Sequence, residues 1–182
     1  MAAVAEDTPT RIRSVAVELF GTRSYRGTSM REIAEGVGIT KASLYYHFRS
    51  KAEILESLLG PLLDQLDQVL AEAARRRGLA AVRKHLLEGS ADALLSNRRV
   101  LGLLFRDASV YGDEGLVLGY RVIAWMEEAQ KLLAGPRAGW RERIRATQAL
   151  SAVADPVSLF PDVPDADLRA ELLRGANELL QD

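Results

Sequence analysis

The sequence of 182 residues contains no cysteine, and this absence excludes two kinds of site. Neither a disulfide framework nor a thiolate metal centre can form. Histidine is scarce too, since His47 and His85 are the only two and lie too far apart in sequence to have the spacing of a metal-binding pair. We therefore expect neither a metal nor a cofactor.

Long apolar runs and the common catalytic motifs are also missing. No uninterrupted apolar stretch reaches membrane-spanning length, and the first residues, MAAVAEDTPT, lack the basic start and apolar core of a secretory signal. These absences predict a cytoplasmic protein without a membrane partner. The chain has no nucleophile elbow, no phosphate-binding loop and no dinucleotide-binding motif, so we expect no enzyme activity.

The residues that are abundant favour α-helix throughout, because strong helix formers dominate and no alternating β-branched run occurs. The fold class is therefore predicted to be all-α. Gly60-Pro61 interrupts a helical pattern over residues 51–74 and indicates either a kink that acts as a hinge or a boundary between two helices. Asp155-Pro156 is predicted to end the penultimate helix. The expected helices after residue 74 are 79–95, 98–110, 114–134, 139–154 and 165–180.

Three helix starts follow one another closely near the N-terminus. Ser29 and Ser50 each precede a glutamate by three residues, which is the spacing of a capping box, and Thr40 can cap a helix between them. Gly38 stands where the chain must turn sharply, and glycine tolerates the positive φ that such turns require. Short helices joined by minimal turns predict a helix-turn-helix.

The helix after Thr40 has an unusual composition for a buried or a solvated helix. Leu44 and Phe48, four residues apart, supply its apolar face, so polar and aromatic side chains occupy the outer faces. Residues 1–51 hold eight Lys and Arg against five Asp and Glu, whereas the remainder holds sixteen against twenty. This basic excess and a helix able to enter a major groove about 12 Å wide predict binding to double-stranded DNA. The residues predicted to contact it are Ser29, Thr40, Lys41, Ala42, Ser43, Tyr45, Tyr46, His47 and Lys51.

Residues 8 to 56 contain an ordered pattern that reads Ile33-Ala34, Gly38, Leu44-Tyr45-Tyr46-His47-Phe48 and Lys51. This pattern resembles the N-terminal domain of the TetR/AcrR family of bacterial regulators. Two departures from the family pattern are an alanine at position 42, where many members have glycine, and Gly36-Val37 in place of a commoner small pair. Ala42 adds only a methyl group at the start of the DNA-facing helix.

The resemblance implies a DNA-binding homodimer whose C-terminal domain binds a small-molecule effector. We accordingly predict a helix-turn-helix domain over residues 1–56 and an effector-binding and dimerisation domain over residues 57–182. Aromatic side chains on two helices that the resemblance places around a ligand cavity are candidate effector contacts, although aromatic residues at helical spacing are more often plain core. These candidates are Phe105, Tyr111, Tyr120 and Trp125.

The last two helices are predicted to form the dimer interface, because the resemblance implies a four-helix contact between subunits. The alternative is burial of the same side chains in the core of their own subunit. The predicted interface residues are Leu150, Val153, Leu168, Leu172, Ala176 and Leu179.

The sequence therefore predicts a transcriptional regulator, most simply a repressor that a small molecule releases from a palindromic operator. An alternative keeps the DNA-binding domain but removes the sensing: an architectural or protein-interaction factor whose C-terminal domain is filled by its own side chains. A cavity near Trp125 would distinguish the two.

Overall fold

The computed structural model describes residues 7–106 and 116–181, with side chains for residues 7–102 and 119–181. All regular structure in these residues is helical, which confirms the predicted fold class. The described helices are α1 (Thr8–Arg23), α2 (Met30–Val37), α3 (Lys41–His47), α4 (Lys51–Ala74), α5 (Leu79–Ser96), α6 (Arg98–Arg106), α7 (Leu116–Ala134), α8 (Trp140–Leu159) and α9 (Asp165–Leu179).

Two helices continue through prolines, one where the sequence left a break as one of two alternatives and one where it predicted a break. Helix α4 is a single helix with Pro61 in its interior, so the two-helix interpretation of Gly60-Pro61 is wrong. Helix α8 likewise continues past Pro156 to Leu159. A proline inside a helix removes one backbone hydrogen bond, and the buried leucines on both sides of Pro61 offset that loss through packing.

The three N-terminal helices share one small core. Ile12, Ala16 and Phe20 of α1 are buried together with the apolar residues of α2 and α3, including Ile33 and Leu44. Helix α1 begins at Thr8, and the Asp7 side chain caps it by accepting a hydrogen bond from the Thr10 backbone N–H at 3.0 Å.

The larger C-terminal part is built around α4 and α8. Helix α4 packs against α5 and α7, and α8 packs against α7 and α9. Helix α1 contacts both α4 and α6, so the N-terminal helices are joined to the C-terminal part by packing as well as by the chain. No helix within the described ranges is both long and apolar enough to cross a membrane.

The predicted dimer interface requires correction for most of its residues. Five of the six side chains lie in the core of their own subunit, because α8 and α9 turn their apolar stripes toward each other and toward α5. A buried side chain has no surface to offer to a partner. Leu179 alone of the six is half-buried and remains a prediction; the corrected residues are Leu150, Val153, Leu168, Leu172 and Ala176.

Candidate nucleic-acid interface and ligand cavity

Helix α2 begins with a complete capping box at Ser29 and Glu32. The Glu32 backbone N–H donates to Ser29 Oγ at 3.2 Å, and the Ser29 backbone N–H donates to Glu32 Oε2 at 2.8 Å. The Ser29 backbone N–H and the Ser29 hydroxyl, which both donate to Glu32 Oε2, hold the pKa of the Glu32 carboxyl below its usual value with support from the nearby Arg23. Ser29 thus fixes the start of α2 as predicted, and it stays exposed beside the turn region.

A left-handed glycine sets the angle between α2 and α3. Gly38 has φ 76° and ψ 35°, and its N–H donates to carbonyl oxygens of the last turn of α2. Arg11 of α1 donates through its guanidinium to the Val37 carbonyl at 2.6 Å, which satisfies another carbonyl at that helix end. Arg11 is a positioning residue that the sequence did not reveal, because its acceptor lies 26 residues away.

Helix α3 is anchored on one side and open on the other. Thr40 caps it by accepting a hydrogen bond from the Ser43 backbone N–H at 3.1 Å. Leu44 is fully buried and Phe48, which follows the helix, is buried beside it. A short helix held this way presents its outer face at a fixed angle to the rest of the domain.

The outer face of α3 carries the aromatic and basic side chains that the sequence predicted for DNA contact. Tyr46 is 87% exposed and Tyr45 is 42% exposed. The Lys41 ammonium is also exposed and lies 5.7 Å from the centre of the Tyr45 ring. The side chain of His47 is half-buried with its ring edge-on to Tyr46 at 5.2 Å between centroids.

Small residues complete this outer face. Ala42 is exposed in the first turn of α3, and Ser43 beside it is half-buried. Arg49, directly after Phe48, is also exposed but was not among the predicted DNA contacts. Its positive charge could have indicated it, since Arg49 is the only cation in sequence between His47 and Lys51. We define the α3 face as Thr40, Lys41, Ala42, Ser43, Tyr45, Tyr46 and His47.

Lys51 does not belong to the α3 face. Its ammonium donates to the carbonyl oxygens of Tyr25 at 2.7 Å and Thr28 at 2.9 Å. The same nitrogen lies 4.4 Å from the centre of the Tyr25 ring, a cation–π distance. The half-buried Lys51 therefore fastens the loop between α1 and α2 onto the start of α4, and its role as a phosphate contact stays a prediction.

A cavity of about 190 Å³ lies among the C-terminal helices, and we call it the central cavity. Trp125 lines it, while the Trp125 indole N–H donates to the Leu66 carbonyl at 2.8 Å. Tyr120 is 69% exposed and does not line the cavity, so the structure does not bring the two aromatic residues together. The side chain of Phe105 and the whole of Tyr111 lie outside the described residues.

Comparison with known proteins assigns the N-terminal helices to a family. Residues 12–58 match the family model described as bacterial regulatory proteins, tetR family. This N-terminal domain is a TetR-family domain. The matched segment contains α2, the Gly38 turn and α3, together with the start of α4, so the sequence-based resemblance is confirmed.

Curated TetR-family relatives are repressors by name. The HTH-type transcriptional repressor KstR2 of Mycobacterium tuberculosis is 31% identical over 128 residues, which are 70% of this chain and 54% of that protein. IcaR of Staphylococcus aureus, a negative transcriptional regulator of the biofilm operon icaADBC, is 44% identical over 55 residues, or 30% of each chain. The chain thus spans about half the length of KstR2 and about a third of IcaR.

Solved structures of TetR-type proteins share the fold over nearly the whole chain. The crystal structure of Mycobacterium smegmatis AmtR superposes with a TM-score of 0.81 at 24% identity and covers 98% of this chain and 88% of AmtR. The structure of KstR2 of Mycobacterium tuberculosis gives a TM-score of 0.70 at 18% identity and covers 98% and 96% of the two chains. The fold similarity therefore extends beyond the TetR-family domain into the C-terminal helices.

Proposed function

We propose that this protein is a homodimeric transcriptional repressor that binds a palindromic DNA operator and is released from it by a small molecule. The observation that carries the proposal is the α3 face: a capped helix inside a TetR-family domain, anchored by Leu44, with Tyr45, Tyr46 and Lys41 turned to solvent. The names of KstR2 and IcaR, both negative regulators, support repression rather than activation.

The chemistry of the α3 face suits a duplex. The Lys41 ammonium supplies a positive charge for phosphates, and the exposed Tyr46 hydroxyl donates a hydrogen bond from a stiff side chain. Ala42 and Ser43 at the start of α3 are small enough for the helix end to approach the backbone of DNA closely. Ser29 lies exposed beside a helix N-terminus and is proposed as an additional phosphate contact.

Dimerisation follows from the operator geometry. Two copies of α3 reach successive major grooves when they lie about 34–36 Å apart, and this is why two-fold protein symmetry matches a palindromic site. TetR-family regulators act as dimers, which supports this arrangement for the present chain.

An exposed apolar surface is available for the second subunit. Ile123 and Met126 of α7 line a shallow groove with Thr147 of α8, and Ile144 lies one helical turn from Thr147. All but Thr147 are exposed, as is Tyr120 one turn before Ile123. We call Tyr120, Ile123, Met126 and Ile144 the α7–α8 face and propose it as part of the subunit interface.

The central cavity favours the version of the function that includes sensing. The alternative, a DNA-binding factor without an effector, requires a C-terminal domain filled by its own side chains. The cavity next to Trp125 instead offers space for a ligand between α4, α5, α7 and α8. Effector binding there shifts the equilibrium toward a conformation with weaker operator affinity only to the extent that the two conformations bind the effector differently.

Operator binding is tested by removing one group at a time from the α3 face. Genomic fragments bound by the wild-type protein are selected first, and their affinity is measured by fluorescence anisotropy. Lys41→Ala and Tyr46→Phe are each expected to weaken binding about tenfold or more, since each removes one contact to DNA.

A matched control for Lys41→Ala comes from the other end of the molecule. Lys84→Ala makes the same chemical change at an exposed position of α5 and is expected to leave the affinity unchanged. Unchanged affinity in both α3 variants would remove α3 from the interface and with it the proposed function.

A further inference from the structure

The central cavity has an apolar wall with very few polar groups. Leucines from α4 and α5, including Leu62, Leu66 and Leu87, form much of its lining together with Val122 and Trp125 of α7. An apolar cavity of about 150 Å³ is large enough for benzene, whereas drug-sized ligands occupy about 300–1,000 Å³. The volume of about 190 Å³ therefore fits a molecule of roughly one ring with a short substituent.

One polar side chain in the lining has no partner. Ser90 of α5 is only 2% exposed, and its hydroxyl oxygen is buried without a hydrogen bond to any described residue. An unsatisfied buried hydroxyl is costly, and serine in a helix usually donates to a carbonyl of the preceding turn. A group on a bound ligand would satisfy the Ser90 hydroxyl.

The only formal charge among the described lining residues is negative. Asp155 of α8 lines the cavity beside Ser151, whereas none of the described lining residues is a lysine, an arginine or a histidine. Partial burial raises the pKa of the Asp155 carboxyl, although the residue as a whole is exposed at the rim of the cavity. A hydrogen-bond donor is therefore favourable next to Asp155, and an anion is repelled.

We infer that the central cavity binds a compact apolar molecule that carries a single hydrogen-bond donor, an amine or an alcohol, and that it discriminates against carboxylates and other anions. The donor group lies toward Ser90 and Asp155, and the apolar body lies against the leucines and Trp125. The inference rests on the proposed function only in identifying this molecule as the effector.

The test uses four probes with one ring and different polar groups: benzyl alcohol, benzylamine, toluene and benzoate. Binding is measured on the full chain without DNA by calorimetry and by tryptophan fluorescence. Trp140→Phe leaves Trp125 as the only tryptophan and so reports from the cavity wall. Benzyl alcohol and benzylamine are expected to bind about tenfold more tightly than toluene, with benzoate weaker than toluene.

Two variants assign the polar contacts. Ser90→Ala is expected to weaken benzyl alcohol about tenfold, to the level of toluene, without changing toluene itself. Ser96→Ala is the control, because Ser96 is exposed on the same helix. Asp155→Asn is expected to weaken benzylamine about tenfold and benzyl alcohol much less, and this exposed position tolerates the change even if Ser90→Ala impairs folding.

The inference is overturned by any of three results: benzoate binding as tightly as the alcohol, no probe binding at all, or both variants retaining wild-type preferences. Because DNA is absent from these measurements, such a result does not bear on the proposal that the α3 face binds DNA. Conversely, if the α3 variants show that the protein does not bind DNA through α3, the order of the four probe affinities is expected to stay the same.

Discussion

Lys51 shows how contacts distant in sequence can change the role expected of a single side chain. A lysine just inside a helix after a DNA-facing segment has the position of a phosphate contact. In the fold, its ammonium is occupied by the Tyr25 and Thr28 carbonyls and by the Tyr25 ring. These acceptors lie 26 and 23 residues away in sequence, so no local pattern could have indicated them.

We expect Lys51→Ala to act on stability rather than on phosphate binding. Loss of hydrogen bonds from a charged donor to two carbonyls should lower the free energy of unfolding by about 2 kcal/mol in urea titrations. The logarithm of the DNA-binding constant should fall with the logarithm of the salt concentration at the same slope as in the wild type. Lys41→Ala should show the opposite pattern, with stability within about 0.5 kcal/mol and a slope reduced by about one unit. A reduced slope together with unchanged stability in Lys51→Ala would restore the phosphate role.

The local features of the helix-turn-helix were predictable because each is encoded within a few residues. The capping box of Ser29, the cap of Thr40 and the turn at Gly38 all appear in the structure as the sequence indicates. Pro156 was wrongly predicted to end a helix, and Pro61 was left between a kink and a helix boundary, because the packing of buried residues on both sides of each proline is not visible in the local sequence. A proline indicates the end of a helix from the local sequence alone, whereas the packing that lets a helix continue depends on the whole fold.

At the scale of the element, Gly38 gives a direct test of the turn between α2 and α3. No heavy atom lies within 4 Å of a Cβ added at Gly38, so substitution meets only the backbone strain of φ 76°. Gly38→Ala should therefore lower the free energy of unfolding by about 1 kcal/mol. Thermal and urea unfolding measure the effect.

Gly60→Ala is the matched control for this prediction. Gly60 also has open space around it, but it lies in the interior of α4 without a positive φ. Alanine there should raise the free energy of unfolding by about 0.5–1 kcal/mol, because glycine weakens a helix interior. Equal effects of the two substitutions would show that the turn does not depend on the left-handed glycine.

At the scale of the whole molecule, sequence periodicity identified apolar stripes but not their partners. The buried apolar residues of α8 and α9 face the subunit interior, whereas Ile123 of α7 and Ile144 of α8 remain exposed. Which stripe a neighbouring helix covers depends on how all the helices dock. The position of Trp125 at a cavity could be anticipated, but Ser90 carries no sequence signal that separates it from a surface serine.

The proposed role of the α7–α8 face predicts a change in oligomeric state. Ile144→Glu places a carboxylate in an apolar contact and should weaken dimerisation at least about tenfold, as measured by analytical ultracentrifugation. Leu79→Glu is the control, since Leu79 is an exposed apolar residue at the start of α5, outside the face. Equal dimerisation of wild type and Ile144→Glu would place the interface elsewhere.

Because α4 is one continuous helix, a movement at one of its ends also displaces the other end. Its 24 residues form a rod of about 36 Å, and a tilt of about 5° at one end displaces the other by about 3 Å. Arg121 of α7 forms ion pairs with two residues of α4, with Asp64 at 2.9 Å and with Asp67 at 2.5 Å. A ligand bound beside Leu62 and Leu66 would therefore tilt α4 and move the α3 face of each subunit away from the spacing of successive major grooves.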